Sequence, residues 1–255
     1  MPGRQEDKYV IPIYSMDEIR RAIEPYVKAD NHRALQESNI YEIRSIYFDT
    51  FELKDYYEKH AGLQMRKKLR VRGYNILTEK SEVFLEIKWK NNTYISKDRT
   101  PVKYADVSNL LAGGDIEKYL PYRKDFPSSR ENASKFLFYL KRSSRVPVNL
   151  VTYTREAYIG KFNHSDRVTF DSNIRSMMFP GLDDLYEEER LVSFLDSEFV
   201  LEFKSENPIP EWFKRIIRKY NLRKQAFSKY VRGIDTHYLH VGDCTKREIV
   251  SMSHY

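Results

Sequence analysis

Arg66, Lys68, Arg70 and Arg72 recur at every second position of the chain. Side chains alternate faces in an extended strand, so these four cations share one face and Leu69 and Val71 take the other. Like charges placed side by side repel, and the arrangement makes sense against a linear chain of negative charge. Arginine suits phosphate because its planar fork donates two parallel hydrogen bonds. The alternation returns in five more segments. Arg4, Glu6 and Lys8 share a face; so do Glu86, Lys88 and Lys90, opposite Leu85, Ile87 and Trp89. Tyr153 and Arg155 share one, as do Arg167, Thr169 and Asp171, opposite Val168 and Phe170. Glu202 and Lys204 share the last, opposite Leu201 and Phe203. Each segment alone reads first as the solvated face of an ordinary antiparallel strand. Six together, rich in arginine and lysine and backed by apolar faces, read as a single lining. The few carboxylates among the cations are of the type that holds a divalent metal through hard oxygen ligands.

Such a lining needs strands to carry it and helices to cover the apolar backs. "DKYVIPIYS" reads as a strand, and Ser15 with Glu18 as a capping box opening a helix that runs to about Val27. "YEIRSIYFDT" is rich in strand formers, and "FELKDYYEKHAG" is a short helix stopped near Gly62. "LQMRKKLRVRGY" and "SEVFLEIKWK" form a hairpin pattern across a polar turn. "DVSNLLAGGDIEKYL" and "ENASKFLFYLKR" have helical spacing. Strand pattern returns in "PVNLVTYTREAYIG", "DRVTFDSNIRS" and "SEFVLEFKS", and the end is helical or mixed. Seven or eight strands with interspersed helices give an α+β class with a mainly antiparallel sheet. With charges inside and helices outside, the expected form is a closed β-barrel with a polar, basic lumen.

Composition bounds the rest. The chain has 255 residues, 44 Lys and Arg against 37 Asp and Glu, and a formal charge of +7, which favours an anionic partner. One cysteine, Cys244, allows no intrachain disulfide, as suits a reducing compartment. No signal peptide or membrane span is read, so the expected location is cytoplasmic, with a membrane-associated complex left open. Residues 1–240 are expected to form one domain and residues 241–255 a tail.

The ordered set "EDKY", "SIYFDT", "KLRVRGY", "FLEIKWK", "TYTREAY", "RVTFD", "LEFK" and "FSKYV" resembles the VTC domain. That is the polyphosphate polymerase domain of the triphosphate tunnel metalloenzyme, or CYTH-like, superfamily, here of stand-alone bacterial type. The resemblance spans roughly residues 4–235. It implies an eight-stranded antiparallel tunnel, a divalent cofactor (Mn2+ or Mg2+), and transfer of the terminal phosphate of ATP onto inorganic polyphosphate. Carried over residue by residue, it makes Arg70, Arg72, Lys88, Arg155 and Arg167 catalytic phosphate contacts. Lys8, Tyr153, Ser228 and Lys229 are further substrate contacts, and Glu202 is the metal ligand; beside the carried-over set, Lys204 is a candidate substrate contact from its place on the charged face, and Glu6 and Glu86 are weaker metal candidates. Two departures stand out. Superfamily hydrolases carry ExExK on the first strand, whereas this chain has Arg4 at the first glutamate position. Ala226 and Phe227 precede the Ser-Lys pair where polymerases can carry another basic residue, and Lys224 is the nearest cation.

Three functions compete at this point: polyphosphate synthesis, hydrolysis of an inorganic or organic triphosphate, and non-catalytic binding of polyphosphate. Nucleic-acid signatures are absent, and no nucleic-acid partner is expected. His60, His164, His237 and His240 lack metal-ligand spacing and read as surface residues. "AGGD" reads as a turn and "DDLYEEER" as an acidic solvated segment. Glu42 and Arg44 read as a pair away from substrate, and Lys204 equally as a salt-bridge partner of Glu202.

Overall fold

A computed structural model describes residues 5–30, 39–92 and 94–238. Ten strands form one antiparallel sheet. Eight follow a continuous path, β1 (Gln5–Pro12), β10 (Glu198–Ser205), β8 (Arg167–Met178), β7 (Val146–Gly160), β3 (Ile40–Asp49), β4 (Met65–Tyr74), β5 (Glu82–Asn91) and β6 (Tyr94–Lys103). Two short strands join from the side, β2 (Val27–Ala29) on β7 and β9 (Val192–Leu195) on β8. The expected eight-stranded barrel is therefore corrected. The path has eight strands, but among the described residues no ladder joins β1 to β6, and the sheet is not closed. The two edges come within 8 Å, Cα to Cα. Lysine, arginine and Pro101 on β6 are typical of an edge strand, where a missing N–H or a solvated charge costs little.

The register places the alternating residues together. Lys8 is opposite Glu202, Glu202 opposite Thr169, and Arg155 opposite Asp171. Tyr41 is opposite Arg155, Ser45 opposite Arg72 and Tyr47 opposite Arg70. Arg70 is opposite Glu86, Lys68 opposite Lys88, and Lys88 opposite Lys97. One face of the curved sheet thus carries the charges, as the period-two pattern requires.

The other face is apolar and covered. Leu69, Val71, Leu85 and Ile87 pack with Phe136 and Leu140 of α5 (Ser129–Arg142) and with α3 (Val107–Leu111). Tyr9, Val168, Leu201 and Phe203 pack with Ile19 and Ile23 of α1 (Met16–Ile23) and Phe213 and Ile216 of α6 (Glu211–Lys219). A third cluster lies on the inward side. There Tyr230, Val231 and Ile234 of α7 (residues 229–238) meet Ile43, Val151, Ile174 and Val200. Helix α7 so fills part of the concave face that the charges leave free. Two more short helices lie among the described residues, α2 (Lys54–His60) and α4 (Ile116–Tyr119).

Several expectations shift. The capping box at Ser15 does not form: Ser15 is the last residue of a 3-10 turn and already has helical angles, so its side chain caps nothing. Helix α1 stops at Ile23 rather than near Val27: Glu24 still has helical angles, but Pro25 has no N–H to donate to the next carbonyl of the ladder. "AGGD" is a turn, with Gly113 at φ +111°. The acidic segment is docked rather than solvated. Leu185 is fully buried, Tyr186 packs edge-on against Tyr104, and Glu188 pairs with Arg44 and Arg175. His237 is half-buried against Ser176, not on the open surface. Arg4, His240, Cys244 and the tail 241–255 lie outside the described residues.

Candidate functional site

The inward face encloses a cavity of about 930 Å³. Lys8, Arg70, Arg72, Lys88, Tyr153, Arg155, Arg167, Lys204, Ser228 and Lys229 all line it, together with Glu6 and Glu202. Six strands and the start of α7 supply these groups, so residues up to 223 positions apart in the chain share one chamber. Glu86 alone among the expected site residues stands outside the wall. It is 1% exposed, behind the arginines.

Three carboxylate-centred clusters organise the chamber. Glu202 receives Lys8 at 3.1 Å, Lys204 at 2.6 Å, Lys229 at 3.2 Å and Arg155 at 3.4 Å. Glu6 receives Lys8 at 3.2 Å, Lys88 at 3.3 Å and Lys204 at 3.7 Å, the contact to Lys88 of β5 reaching across the open seam between β1 and β6. Glu86 receives Arg70 at 2.5 Å, Arg99 at 3.2 Å and Arg72 at 3.9 Å. Side-chain oxygens complete the shell. Arg70 donates to the Tyr47 hydroxyl at 3.0 Å, and Arg72 donates to Ser45 at 3.1 Å and to Tyr153 at 3.4 Å. Sequence reasoning placed Asp171 on the right face without giving it a role. It is fully buried, holds Arg155 through two bonds of 2.6 Å, and also accepts from Lys229. Its alternation with Arg167 and Thr169 was the available signal.

Protonation follows from these contacts. Burial pushes the Glu86 carboxyl up, but Arg70 and Arg72 outweigh it and hold its pKa below the usual carboxylate range. Burial acts likewise on Glu202, where Lys204, Lys229, Lys8 and Arg155 prevail and the pKa falls well below. Burial alone would lower Lys8, yet Glu202 and Glu6 raise it. Lys68 and Lys88 go the other way. Burial and the facing Lys88 bring Lys68 down to about 7. Burial brings Lys88 to about 8 despite Glu6.

A second group of cations at the rim is balanced differently. Lys59, Arg66, Lys67, Lys68 and Lys90 line the same cavity, and among the described residues none has an ion pair with a carboxylate. Lys67 rests over the Tyr139 ring at 4.9 Å and Lys68 over the Tyr230 ring at 4.5 Å. On the wall of β8, Arg167 Nε and Thr169 Oγ1 are buried without a hydrogen-bond partner. Lys224, the nearest cation before Ser228, is engaged by Asp7. Arg44 pairs with Glu42 at 2.8 Å, and neither lines the cavity.

The arrangement can grip an extended anion with bidentate donors and fixed ammonium groups. Its fit to a divalent cation is narrower. Among the described residues, no three His, Cys, Asp or Glu side chains are grouped to hold a metal by themselves. Glu202 and Glu6 share Lys8 and Lys204 and open on the chamber, which fits an ion held by one or two carboxylates with substrate oxygens completing its shell. Glu86 does not fit that role, enclosed as it is by arginines.

The family model for the VTC domain matches residues 3–238. The chain belongs to the VTC domain family. Membership ties this VTC domain to triphosphate and polyphosphate chemistry. No curated protein matches it significantly. Among solved structures, it is similar to a protein of Bacillus halodurans provisionally named an adenylate cyclase, at 14% identity and a TM-score of 0.45, covering 89% of this chain and 95% of that one. A protein of Pyrococcus horikoshii gives 14% identity and a TM-score of 0.45, over 91% of this chain and 99% of that one. No helix among the described residues is long and apolar enough to cross a membrane.

Proposed function

We propose that this VTC domain is a polyphosphate polymerase that moves the terminal phosphate of ATP onto a growing polyphosphate chain. The observation that carries this reading is the length of the cationic row. Arg66, Lys68, Arg70 and Arg72 step along the inward face of β4 over six residue intervals, about 20 Å at the usual strand rise. That is more track than a triphosphate needs, and its outer part has no carboxylate partners among the described residues.

Phosphoryl transfer asks the protein mainly for positioning and for charge neutralisation. Arg70, Arg72, Lys88, Arg155 and Arg167 would bear on the transferring group and its neighbours. Lys8, Tyr153, Lys204, Ser228 and Lys229 would hold the flanking phosphates. Glu86 and Asp171 keep Arg70 and Arg155 aimed before substrate arrives, so little reorganisation is left for the reaction. A divalent cation at Glu202 and Glu6 would supply further charge neutralisation on phosphate oxygens. The end phosphate of the acceptor is already anionic and attacks without a strong base, while ADP leaves in line.

Incubation of the pure protein with ATP and Mn2+ tests the proposal, with ADP and long-chain polyphosphate followed together. ADP with a polyphosphate ladder is expected. ADP with free phosphate and no ladder would make the protein a triphosphatase. Tight binding of polyphosphate without turnover would make it a binding module.

A further inference from the structure

Lys68 is a cavity-lining cation whose partner is a hydroxyl rather than a carboxylate. Its Nζ lies 2.9 Å from Ser228 Oγ and 4.5 Å from the Tyr230 ring, and among the described residues it reaches no carboxylate. Lys88 stands directly opposite on β5, and Arg66 precedes it on the same face of β4. Lys8 of β1 adds further repulsion, and Asp55 of α2 opposes it. That carboxylate is itself taken by Arg145. Burial and the facing Lys88 bring the amine to about 7, so near neutral pH much of it carries a free lone pair.

Ser228 precedes the first turn of α7 and accepts the Val231 N–H at 3.4 Å, as a helix cap does. A cap has no need of a lysine. The same hydroxyl lines the cavity, between Phe227, whose carbonyl accepts from Lys8 at 3.2 Å, and Lys229, which pairs with Glu202. A hydroxyl therefore lies within the phosphate chamber at hydrogen-bond distance from a group able to take its proton, the usual geometry of a nucleophile and its base.

We infer that Ser228 is a phosphoryl acceptor and Lys68 its base, so that the protein takes the terminal phosphate of a bound triphosphate onto its own serine. The inference rests on the proposed function only in placing a triphosphate in the chamber. A bond forms between Ser228 Oγ and the terminal phosphorus. The bond from that phosphorus to the bridging oxygen breaks, and the nucleoside diphosphate leaves with the electron pair. The hydroxyl proton passes to Lys68 Nζ, which becomes an ammonium. The resulting phosphoserine faces the start of α7, where the helix dipole and Lys229 favour negative charge. Its oxygens are of the same chemical type as the end of a polyphosphate chain, and it can serve as the first acceptor: a primer built into the protein.

The test uses ATP labelled in its terminal phosphate, with Mn2+ or Mg2+, followed by denaturation, acid treatment and peptide mapping. Acid-stable label is expected on Ser228 alone. Ser228→Ala and Ser228→Asn should both lose it, and the asparagine keeps a cap acceptor, which guards against simple loss of fold. Lys68→Met should slow labelling by about 100-fold or more at neutral pH. In the unaltered protein the labelling rate should rise with pH and then level off, with a midpoint above the free protein's value of about 7 because bound phosphate favours the ammonium, and Lys68→Met should lose that rise. Label that persists in Ser228→Asn, or ADP release with no acid-stable label, overturns the inference. ADP and the polyphosphate ladder are read in the same tube. A ladder without label removes the serine and leaves the polymerase; label without a ladder does the reverse; absence of both label and ADP release overturns both.

Discussion

Arg70 and Arg66 lie four residues apart on the same face of β4 and line the same cavity, yet they are held in opposite ways. Arg70 is 5% exposed, clamped by Glu86 and by the Tyr47 hydroxyl. Arg66 is partly exposed and has no carboxylate partner among the described residues. The difference extends to their surroundings: Glu6, Glu86, Asp171 and Glu202 pair with inner cations, whereas Lys59, Arg66, Lys67, Lys68 and Lys90 have no carboxylate partner among the described residues. Pairing gives the inner arginines fixed directions, which transition-state stabilisation requires. Lack of pairing leaves the rim with attraction but little geometry, which suits a chain that must slide.

The strongest way to break this comparison is to remove a balancing carboxylate. Glu86→Gln leaves Arg70 and Arg72 buried without their counter-ion and should cost about 3–5 kcal/mol of stability. For a chain of this size that is a fall in Tm of roughly 10 °C. Arg66→Ala should stay within about 0.5 kcal/mol of the parent. Thermal melts of the two variants side by side decide it. Equal melting would mean that the inner ion pairs do not fix the arginines.

Activity should separate the same two residues. Arg70→Ala is expected to lose about 2–4 kcal/mol of transition-state stabilisation in kcat/KM, comparable to removal of one oxyanion donor. Arg66→Ala should leave kcat near that of the parent and weaken polyphosphate binding by about 1 kcal/mol or less, an effect that fades as salt rises. An Arg66→Ala variant with depressed kcat, or an Arg70→Ala variant with near-normal turnover, would erase the distinction between chamber and rim.

Much of this site is legible in the sequence because strand alternation is a local property. The period-two spacing of Arg70 and Arg72, Glu86 and Lys88, or Glu202 and Lys204 assigns each to the charged face before any contact is known. Pairing is not local. That Glu86 turns toward arginines while Glu202 opens on the cavity depends on how β4, β5, β10 and α7 curve together, and no spacing encodes it. The same limit applies to Lys68, whose neighbour Ser228 is 160 residues away in the chain. Closure failed as an expectation for a related reason. Strand count and alternation are alike for an open and a closed sheet, and the edge character of β6 rests on a segment, "SKDRTP", that reads as easily as a loop.

The smallest expected effect is a pH dependence of stability at the boundary between the two regions. Lys68 has a folded pKa near 7 against its ordinary value of 10.5. Between those values the unfolded chain binds more protons at this site than the folded one, so the stability of the free protein should rise with pH across that window. Burial is incomplete here, and solvent trims the gain to the order of 1 kcal/mol. Added polyphosphate favours the ammonium in the folded state and should flatten the rise. Lys68→Met should remove it in the free protein. Urea midpoints near pH 7 and pH 9.5 for both proteins, with and without polyphosphate, measure all three terms. If Lys68→Met shows the same rise as the parent, the missing counter-ion lies elsewhere in the chamber, and Lys68 belongs with the balanced interior rather than with the rim.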